Sequence, residues 1–257
     1  MKQIRLIDLS VTIEDNAYEG MWPPKITYWD HRRGARELGK PLGVSLGEFP
    51  DGMALAWEEI TAITHTGTHL DAPYHFGPIV EGQKAKTIDQ VPLEWCYGDG
   101  VVLDFRHKQP GDSITVEDVK DALKKINYSL KPLDVVLCMT GADKYVDDVR
   151  YTQMNPGISA EATLWMIDQG VKIIGTDGYG YDKPFAVMAK EYKDGDKSAL
   201  WPAHFAGRQR EYCHIEKLAN LDQIPRPYGF KVSLFPIKIH RASAGWIRPV
   251  AIIEEDE

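Results

Sequence analysis

The feature that most constrains the fold is the alternation of strand-like and helix-like segments through the middle of the chain. Two stretches carry apolar residues at helical spacing, and each follows a capping residue, Thr115 in one case and Ser159 in the other. Around them lie short β-branched, apolar runs typical of strands, at 100–105, 134–140 and 171–177. Two successive strand–helix–strand units follow, and they predict a mixed α/β fold.

Further strands are expected outside this central region. The segments "IRLIDLSVTI" near the start and "GWIRPVAII" near the end are extended in character, as is the run at 230–239. We find no repeat and no Ser/Gly-rich linker that would divide the chain. The sequence therefore predicts a single domain over residues 1–257.

Composition limits the classes of partner. The 257 residues carry a formal net charge of −8 and no long Lys/Arg run, which argues against nucleic acid or an anionic membrane as the main partner. No segment is apolar enough for a signal peptide or a membrane span. The three cysteines, Cys96, Cys138 and Cys213, are widely spaced and lack a CxxC pair. We expect a cytoplasmic protein without disulfides or thiolate metal sites.

One short segment, "HTGTHLDAPYH", concentrates groups that bind metals. It contains His65, His69, Asp71 and His75, all at odd-numbered positions. In an extended chain alternate side chains point the same way, so these four can converge, with Gly67 allowing a bend. Imidazole and carboxylate are good ligands for zinc, manganese or iron. The competing interpretation is a histidine-rich surface loop or a set of core histidines satisfied by hydrogen bonds.

The same segment resembles the HxGTHxDxPxH signature of the metal-dependent cyclase family, which includes kynurenine formamidases, isatin hydrolases and polyketide ring cyclases. The resemblance extends from "IDLS" to "ASAGWIRPVAII". It implies a swivelling β/β/α domain, an α/β fold whose mixed, barrel-like sheet is flanked by helices, and a homodimer or higher oligomer. It also implies metal ligation by His65, His69 and Asp71, with His75 as general acid/base.

A second segment of the resemblance, "PAHFAGRQREYCHIEKL", places His204 twelve residues before Glu216. In the formamidases such a pair completes a second metal position bridged by the motif aspartate. His214 is a rival ligand, which the sequence only weakly disfavours. The resemblance thus implies one or two divalent ions, with zinc favoured over manganese. From spacing alone, the charged residues of this segment would be read as a solvated face.

The resemblance implies a hydrolase that uses metal-activated water on an aryl amide, a lactam or a lactone. The sequence departs from the formamidases where a Trp is missing after Thr140-Gly141 and where 178–203 is unusually long. These departures suggest an aromatic-lined pocket, and with it an alternative, a polyketide-type ring cyclase or dehydratase. A metal-binding module without turnover is a third hypothesis. The residues assigned to binding an aromatic substrate are Trp22, Asp177, Tyr179 and Trp201, each of which has simple packing as its alternative.

Overall fold

The computed structural model describes residues 3–18, 20 and 22–255. The strands are β1 (Gln3–Asp8), β2 (Lys25–Trp29), β3 (Trp57–Thr61), β4 (His69–Asp71), β5 (Ile79–Val80), β6 (Gln83–Lys84), β7 (Tyr97–Asp104), β8 (Ser113–Ile114), β9 (Val135–Met139), β10 (Gly157–Ile158), β11 (Ile173–Thr176), β12 (Cys213–Glu216), β13 (Phe230–Ser233), β14 (Ala244–Trp246) and β15 (Val250–Glu255). The helices are α1 (His31–Leu42), α2 (Pro73–Phe76), α3 (Val116–Lys125), α4 (Ala160–Asp168), α5 (Phe185–Lys193) and α6 (Pro202–Ala206). Short 3₁₀ helices occupy Leu46–Glu48, Pro50–Gly52, Ile88–Gln90, Leu93–Trp95, Ala142–Tyr145, Val149–Gln153 and Leu221–Gln223.

Nine of the described strands form one curled sheet in the order β1-β15-β13-β7-β9-β11-β12-β4-β14. The central strands β7, β9, β11 and β12 are parallel, and the strands outside them join antiparallel. The helices α3 and α4 connect β7 to β9 and β9 to β11. The predicted α/β fold, with a mixed barrel-like sheet flanked by helices, is confirmed.

Both faces of this sheet are covered, which explains the continuous apolar runs of its central strands. All five residues of β9 are buried. Its alternate side chains enter two different apolar clusters, with Val135 and Leu137 in one and Val136 and Cys138 in the other. The sheet therefore has a core on each side.

Local capping chemistry sets where the two central helices begin. The Thr115 side chain accepts from the backbone N–H of Asp118, whose carboxylate accepts in return from the Thr115 N–H. Ser159 caps α4 in the same position. The strand expected at 230–239 is shorter than predicted and ends at Ser233, shortly before Pro236, which has no N–H for a ladder.

The contacts group the chain into two compact units, Met1–Thr12 with Thr64–Glu257, and Ile13–Ile63. The first unit contains the whole nine-stranded sheet. The second consists of the β2–β3 hairpin, in which Trp29 stacks on Trp57 at 5.8 Å, and the helix α1. The description of the chain as one domain stays a prediction. No helix among the described residues is long and apolar enough to cross a bilayer.

Candidate metal centre

The strand β4 positions the first two groups of the "HTGTHLDAPYH" segment. His69 and Asp71 are two residues apart on this strand, so their side chains lie on the same face. Gly67, just before the strand, has φ 58°, a left-handed conformation that glycine adopts without strain. The bend at Gly67 brings Nδ1 of His65 to 2.8 Å from Oδ1 of Asp71. The predicted bent, extended segment is thus observed as far as Asp71.

Beyond Asp71 the segment is helical, which differs from the extended interpretation. Pro73 is the first residue of α2 and does not prevent a helix, because its fixed φ and missing N–H suit the first helical position. His75 lies in this single turn, with Nε2 3.8 Å from Oδ2 of Asp71. The four groups converge as predicted, but His75 reaches the others from a helix.

The neighbouring strand β12 contributes two more groups on the same face of the sheet. It pairs antiparallel with β4 so that His214 lies opposite Asp71 and Glu216 lies opposite His69. The fifth histidine, His204, belongs to the short helix α6, whose N-cap Trp201 has φ 50°. The twelve residues from His204 to Glu216 therefore span a helix, a turn and a strand.

These side chains form two candidate ligand groups that share one carboxylate. Within each group the ligand atoms lie within 4.8 Å of one another; the groups are His65, Asp71 and His75, and Asp71, His204, His214 and Glu216. Nε2 of His69 lies 3.4 Å from Oδ1 of Asp71 and 3.6 Å from Oε2 of Glu216. A carboxylate common to both groups is placed to bridge two ions.

The buried polar atoms at the centre of the cluster lack the partners that burial normally demands. Nε2 of His69, Nε2 of His214 and both carboxylate oxygens of Asp71 have no hydrogen-bond partner among the described residues. His214 Nε2 comes within 2.9 Å of Asp71 Oδ2, but without hydrogen-bonding geometry. Buried unpaired groups are costly. Imidazole nitrogens and carboxylate oxygens are the donors that divalent cations bind, so these residues fit a metal.

Other residues fix the orientation of the imidazoles. Nδ1 of His69 donates to the carbonyl of Gly67 at 2.9 Å, and Nδ1 of His204 donates to Oδ2 of Asp182 at 2.5 Å. Each bond leaves Nε2 as the nitrogen with a free lone pair, directed at the carboxylates. Nε2 of His65 is 3.2 Å from Oγ of Ser243, which leaves Nδ1 facing Asp71. Such partners are typical of metal-binding histidines.

The electrostatics of the cluster favour bound cations. Burial opposes ionisation of Asp71 and Glu216, but the surrounding histidines outweigh it and hold the pKa of both carboxyls well below the ordinary range. Burial lowers the pKa of His69 to about 4. For His214, Asp71 and Glu216 outweigh burial and raise the pKa to about 9. The negative potential that Asp71 and Glu216 create at Nε2 of His214 therefore favours a positive charge there.

The cluster is buried at its base and open at one side. His69, Asp71 and His214 are almost completely buried, whereas the side chains of His65 and His75 are 23% and 31% exposed. Burial, the largest cause, lowers the pKa of His75 to about 4. His75 is therefore neutral at pH 7 and lies on the side from which a substrate can approach.

The four residues predicted to bind substrate are more dispersed. Tyr179 lies near the cluster, because Nζ of Lys217 is 4.6 Å from its ring and donates to the carbonyl of His65 at 3.0 Å. Trp201, 37% exposed, packs edge-on against Phe185 next to α6. Asp177 is buried, and its carboxylate accepts hydrogen bonds from the loop that follows β9. Trp22 belongs to the 13–63 unit and is 53% exposed.

Sequence reasoning does not identify two residues of the centre, Asp182 and Tyr212, and it weakly disfavours a third, His214, as a rival ligand. The position of His214, two residues before Glu216, is the strand spacing that puts both side chains on one face. Asp182, which orients His204, has no distinctive local signal. Tyr212 contacts Nδ1 of His214 at 3.0 Å, and only the strand assignment of 213–216 would have pointed to it.

Comparison with known proteins gives a consistent result. Residues 7–183, more than half of the chain, match the Cyclase family model. A kynurenine formamidase of Erythrobacter litoralis is 26% identical over 96% of this chain and 94% of its own length. An isatin hydrolase of Roseibium aggregatum is 23% identical over 79% of this chain and 77% of its own. The crystal structure of an isatin hydrolase bound to the product analogue thioisatinate superposes with a TM-score of 0.77 at 20% identity, over 98% of this chain and 93% of that one. The chain belongs to the Cyclase family and is a hydrolase of that family.

Proposed function

We propose that this protein is a metal-dependent hydrolase that opens the carbon–nitrogen or carbon–oxygen bond of an aryl amide, a lactam or a lactone. The observation that carries the proposal is the buried carboxylate of Asp71, which belongs to two ligand groups and has no hydrogen-bond partner among the described residues. The relatives support the reaction class, since one is a formamidase and another opens isatin.

The proposed metal ligands are His65, His69 and Asp71 for one position, with His204 and Glu216 joining Asp71 at a second. Zinc suits imidazole and carboxylate donors best, and manganese is the alternative. When bound, a divalent ion supplies a water acidic enough to ionise near neutral pH and polarises a carbonyl oxygen.

His75 is the proposed general acid/base. Its neutral imidazole can take a proton from the attacking water as the new carbon–oxygen bond forms. It can then deliver that proton to the leaving nitrogen or oxygen as the scissile bond breaks. Its Nε2 lies 3.8 Å from Oδ2 of Asp71, beyond hydrogen-bond distance, so this nitrogen is available to accept and donate a proton.

We further propose that the substrate is a small aromatic molecule, as the names of the relatives suggest for those proteins. The residues proposed to contact this substrate are Tyr179, Trp201, Trp22 and Asp177. The protein is proposed to be a cytoplasmic homodimer or tetramer; three free, buried cysteines fit a reducing compartment.

The test is hydrolysis of an aryl formamide and of isatin by metal-loaded protein, before and after removal of metal with dipicolinate. We expect turnover of at least one compound, loss of turnover on chelation, and recovery when zinc or manganese is added back. The His240→Ala protein is a matched control, because the His240 side chain is 83% exposed and pairs with Asp89, which is not one of the proposed ligands. Metal-loaded protein that opens no formamide, lactam or lactone, but closes the ring of a polyketide mimic, would instead support the cyclase alternative.

A further inference from the structure

His214 occupies a position that the proposed ligand set does not use. It is completely buried on β12, opposite Asp71 on β4, and cross-strand neighbours of this kind have their side chains in contact. Its Nε2 lies 2.9 Å from Oδ2 of Asp71 and 3.6 Å from Oε1 of Glu216. The other histidine of the group, His204, places its own Nε2 3.6 Å from the same Glu216 oxygen.

The tautomer of His214 follows from the hydroxyl of Tyr212. This hydroxyl lies 3.2 Å from the carbonyl of Ala203 and 3.0 Å from Nδ1 of His214. A carbonyl can only accept, and a hydroxyl has one proton to give, so that proton goes to Ala203. The hydroxyl oxygen then accepts from the Nδ1–H of His214. In the neutral ring, the lone pair is therefore on Nε2 and faces two carboxylates.

A lone pair that faces anionic oxygens is unfavourable unless a cation lies between them. A second proton on His214 would make it a counter-ion of the carboxylates, and a metal would make it a ligand. The hydroxyl of Tyr212 accepts from Nδ1 of His214 and so stabilises the tautomer that can bind a metal through Nε2. The Gly67 carbonyl does the same for His69, and the Asp182 carboxylate does it for His204. The shared arrangement of the three rings argues for a shared role.

We propose that His214 is a ligand of the second metal position through Nε2, and that Tyr212 is the positioning residue that fixes its tautomer. The inference rests on the proposed metal-dependent function. It gives the second position four protein groups, Asp71, His204, His214 and Glu216, which is the count typical of closed sites. The first position, with His65, His69 and Asp71, keeps coordination room beside His75. The four groups of the second position would then hold their ion more tightly than the three groups of the first, and the ion held beside His75 would be the one that supplies the acidic water.

The experiment is a zinc titration of metal-free protein against a chromophoric chelator, which yields the number of ions and the Kd of each. The variants are His214→Gln and Tyr212→Phe, with His240→Gln and the exposed Tyr192→Phe as matched controls. We expect His214→Gln to lose the more tightly bound ion, or to bind it with an affinity at least about 100-fold lower. Tyr212→Phe should lower the affinity for the same ion roughly 10- to 100-fold. The controls should bind like the wild type. If His214→Gln fails to fold, Tyr212→Phe decides.

Nitrogen-15 NMR of the imidazoles in zinc-loaded protein distinguishes ligand from counter-ion. The inference expects a proton on Nδ1 of His214 and none on Nε2. Protons on both nitrogens in the loaded protein, or wild-type zinc affinity in both variants, would overturn it while leaving the proposed hydrolase intact. A wild-type protein that binds no zinc would overturn both.

Discussion

Among the six imidazole and carboxylate groups around Asp71, the histidines differ in how firmly the chain holds them. His69, His204 and His214 each have an acceptor for Nδ1, and the ring of His65 is held by Ser243. His75 has no such partner among the described residues and is the most exposed of the set. A fixed ring suits a ligand, whereas a ring that can turn suits a group that moves protons.

His75→Ala tests this distinction. We expect the variant to keep its fold and metal content, while kcat on whichever substrate proves active falls about 100- to 10,000-fold and KM changes much less. Steady-state kinetics and metal analysis on the same preparation provide the measurement, with His240→Ala as the control. Loss of metal together with activity would show that His75 is a ligand.

Asp182 is expected to influence metal affinity by orienting the ring of His204. Its carboxylate accepts from the N–H groups of Ala203 and His204 and from the His204 ring, so both oxygens are used. In Asp182→Asn the amide NH₂ would face a donor, and His204 would lose its charged partner. We expect zinc affinity to fall roughly 10- to 100-fold, measured by chelator competition. The exposed Asp196→Asn is the control, and unchanged affinity would leave Asp182 with a purely structural role.

At the scale of elements, the ends of two parallel strands are tied together by one buried carboxylate. Asp177 follows β11 and accepts from the N–H groups of Thr140 and Gly141, which follow β9. Burial raises its pKa to about 6, although these bonds favour the charged form. The role of Asp177 in substrate binding stays a prediction. Its contacts give it a structural role, because they join the segment after β11 to the segment after β9.

Asp177→Asn is expected to lower the free energy of unfolding by about 1–3 kcal/mol at pH 8, because the amide NH₂ would face N–H donors. The native pKa lies above the ordinary value of 3.8, so the native state holds this proton more tightly. Wild-type stability should therefore fall, relative to the variant, as pH rises from 4 to 6. Urea unfolding of both proteins at several pH values from 4 to 8 measures both effects. Equal stability at every pH would contradict the account.

The secondary-structure elements explain why the sequence predicts the ligands of the first metal position better than those of the second. His65, His69 and Asp71 lie in one segment whose spacing works for any extended chain. His204 and Glu216 required the family resemblance, since a helix through 208–216 explains the charges equally well. From the sequence, His214 is only a rival ligand. Its position opposite Asp71 appears once β12 pairs with β4, because the register between two distant strands is not encoded in either of them. His75 could be identified from the sequence, but the helical turn that starts at Pro73 could not.

For the whole molecule, the centre concentrates negative charge in a chain that already carries a net charge of −8. Two buried carboxylates are held ionised where strands from distant parts of the chain meet. A cation at this point should therefore stabilise the folded state of the unit that contains the sheet, since the unfolded chain offers no such preformed site.

Zinc at 100 times its Kd is expected to stabilise the fold by about 2.7 kcal/mol per site, which corresponds to a rise in Tm of roughly 5–10 °C. Differential scanning calorimetry of metal-free protein with and without zinc measures the shift. Magnesium, which prefers oxygen ligands, should raise the Tm by less than zinc does. An equal shift in Asp71→Ala would show that the stabilising ion binds elsewhere.

If Asp71 and the histidines around it hold a divalent metal, the metal content of the purified protein must depend on Asp71. Wild-type, Asp71→Ala and His240→Ala proteins would be purified without chelators and analysed by inductively coupled plasma mass spectrometry. We expect one or two zinc or manganese ions per wild-type chain, the same number in His240→Ala, and loss of most of this metal in a folded Asp71→Ala protein. Full metal content in Asp71→Ala would show that the metal is held elsewhere.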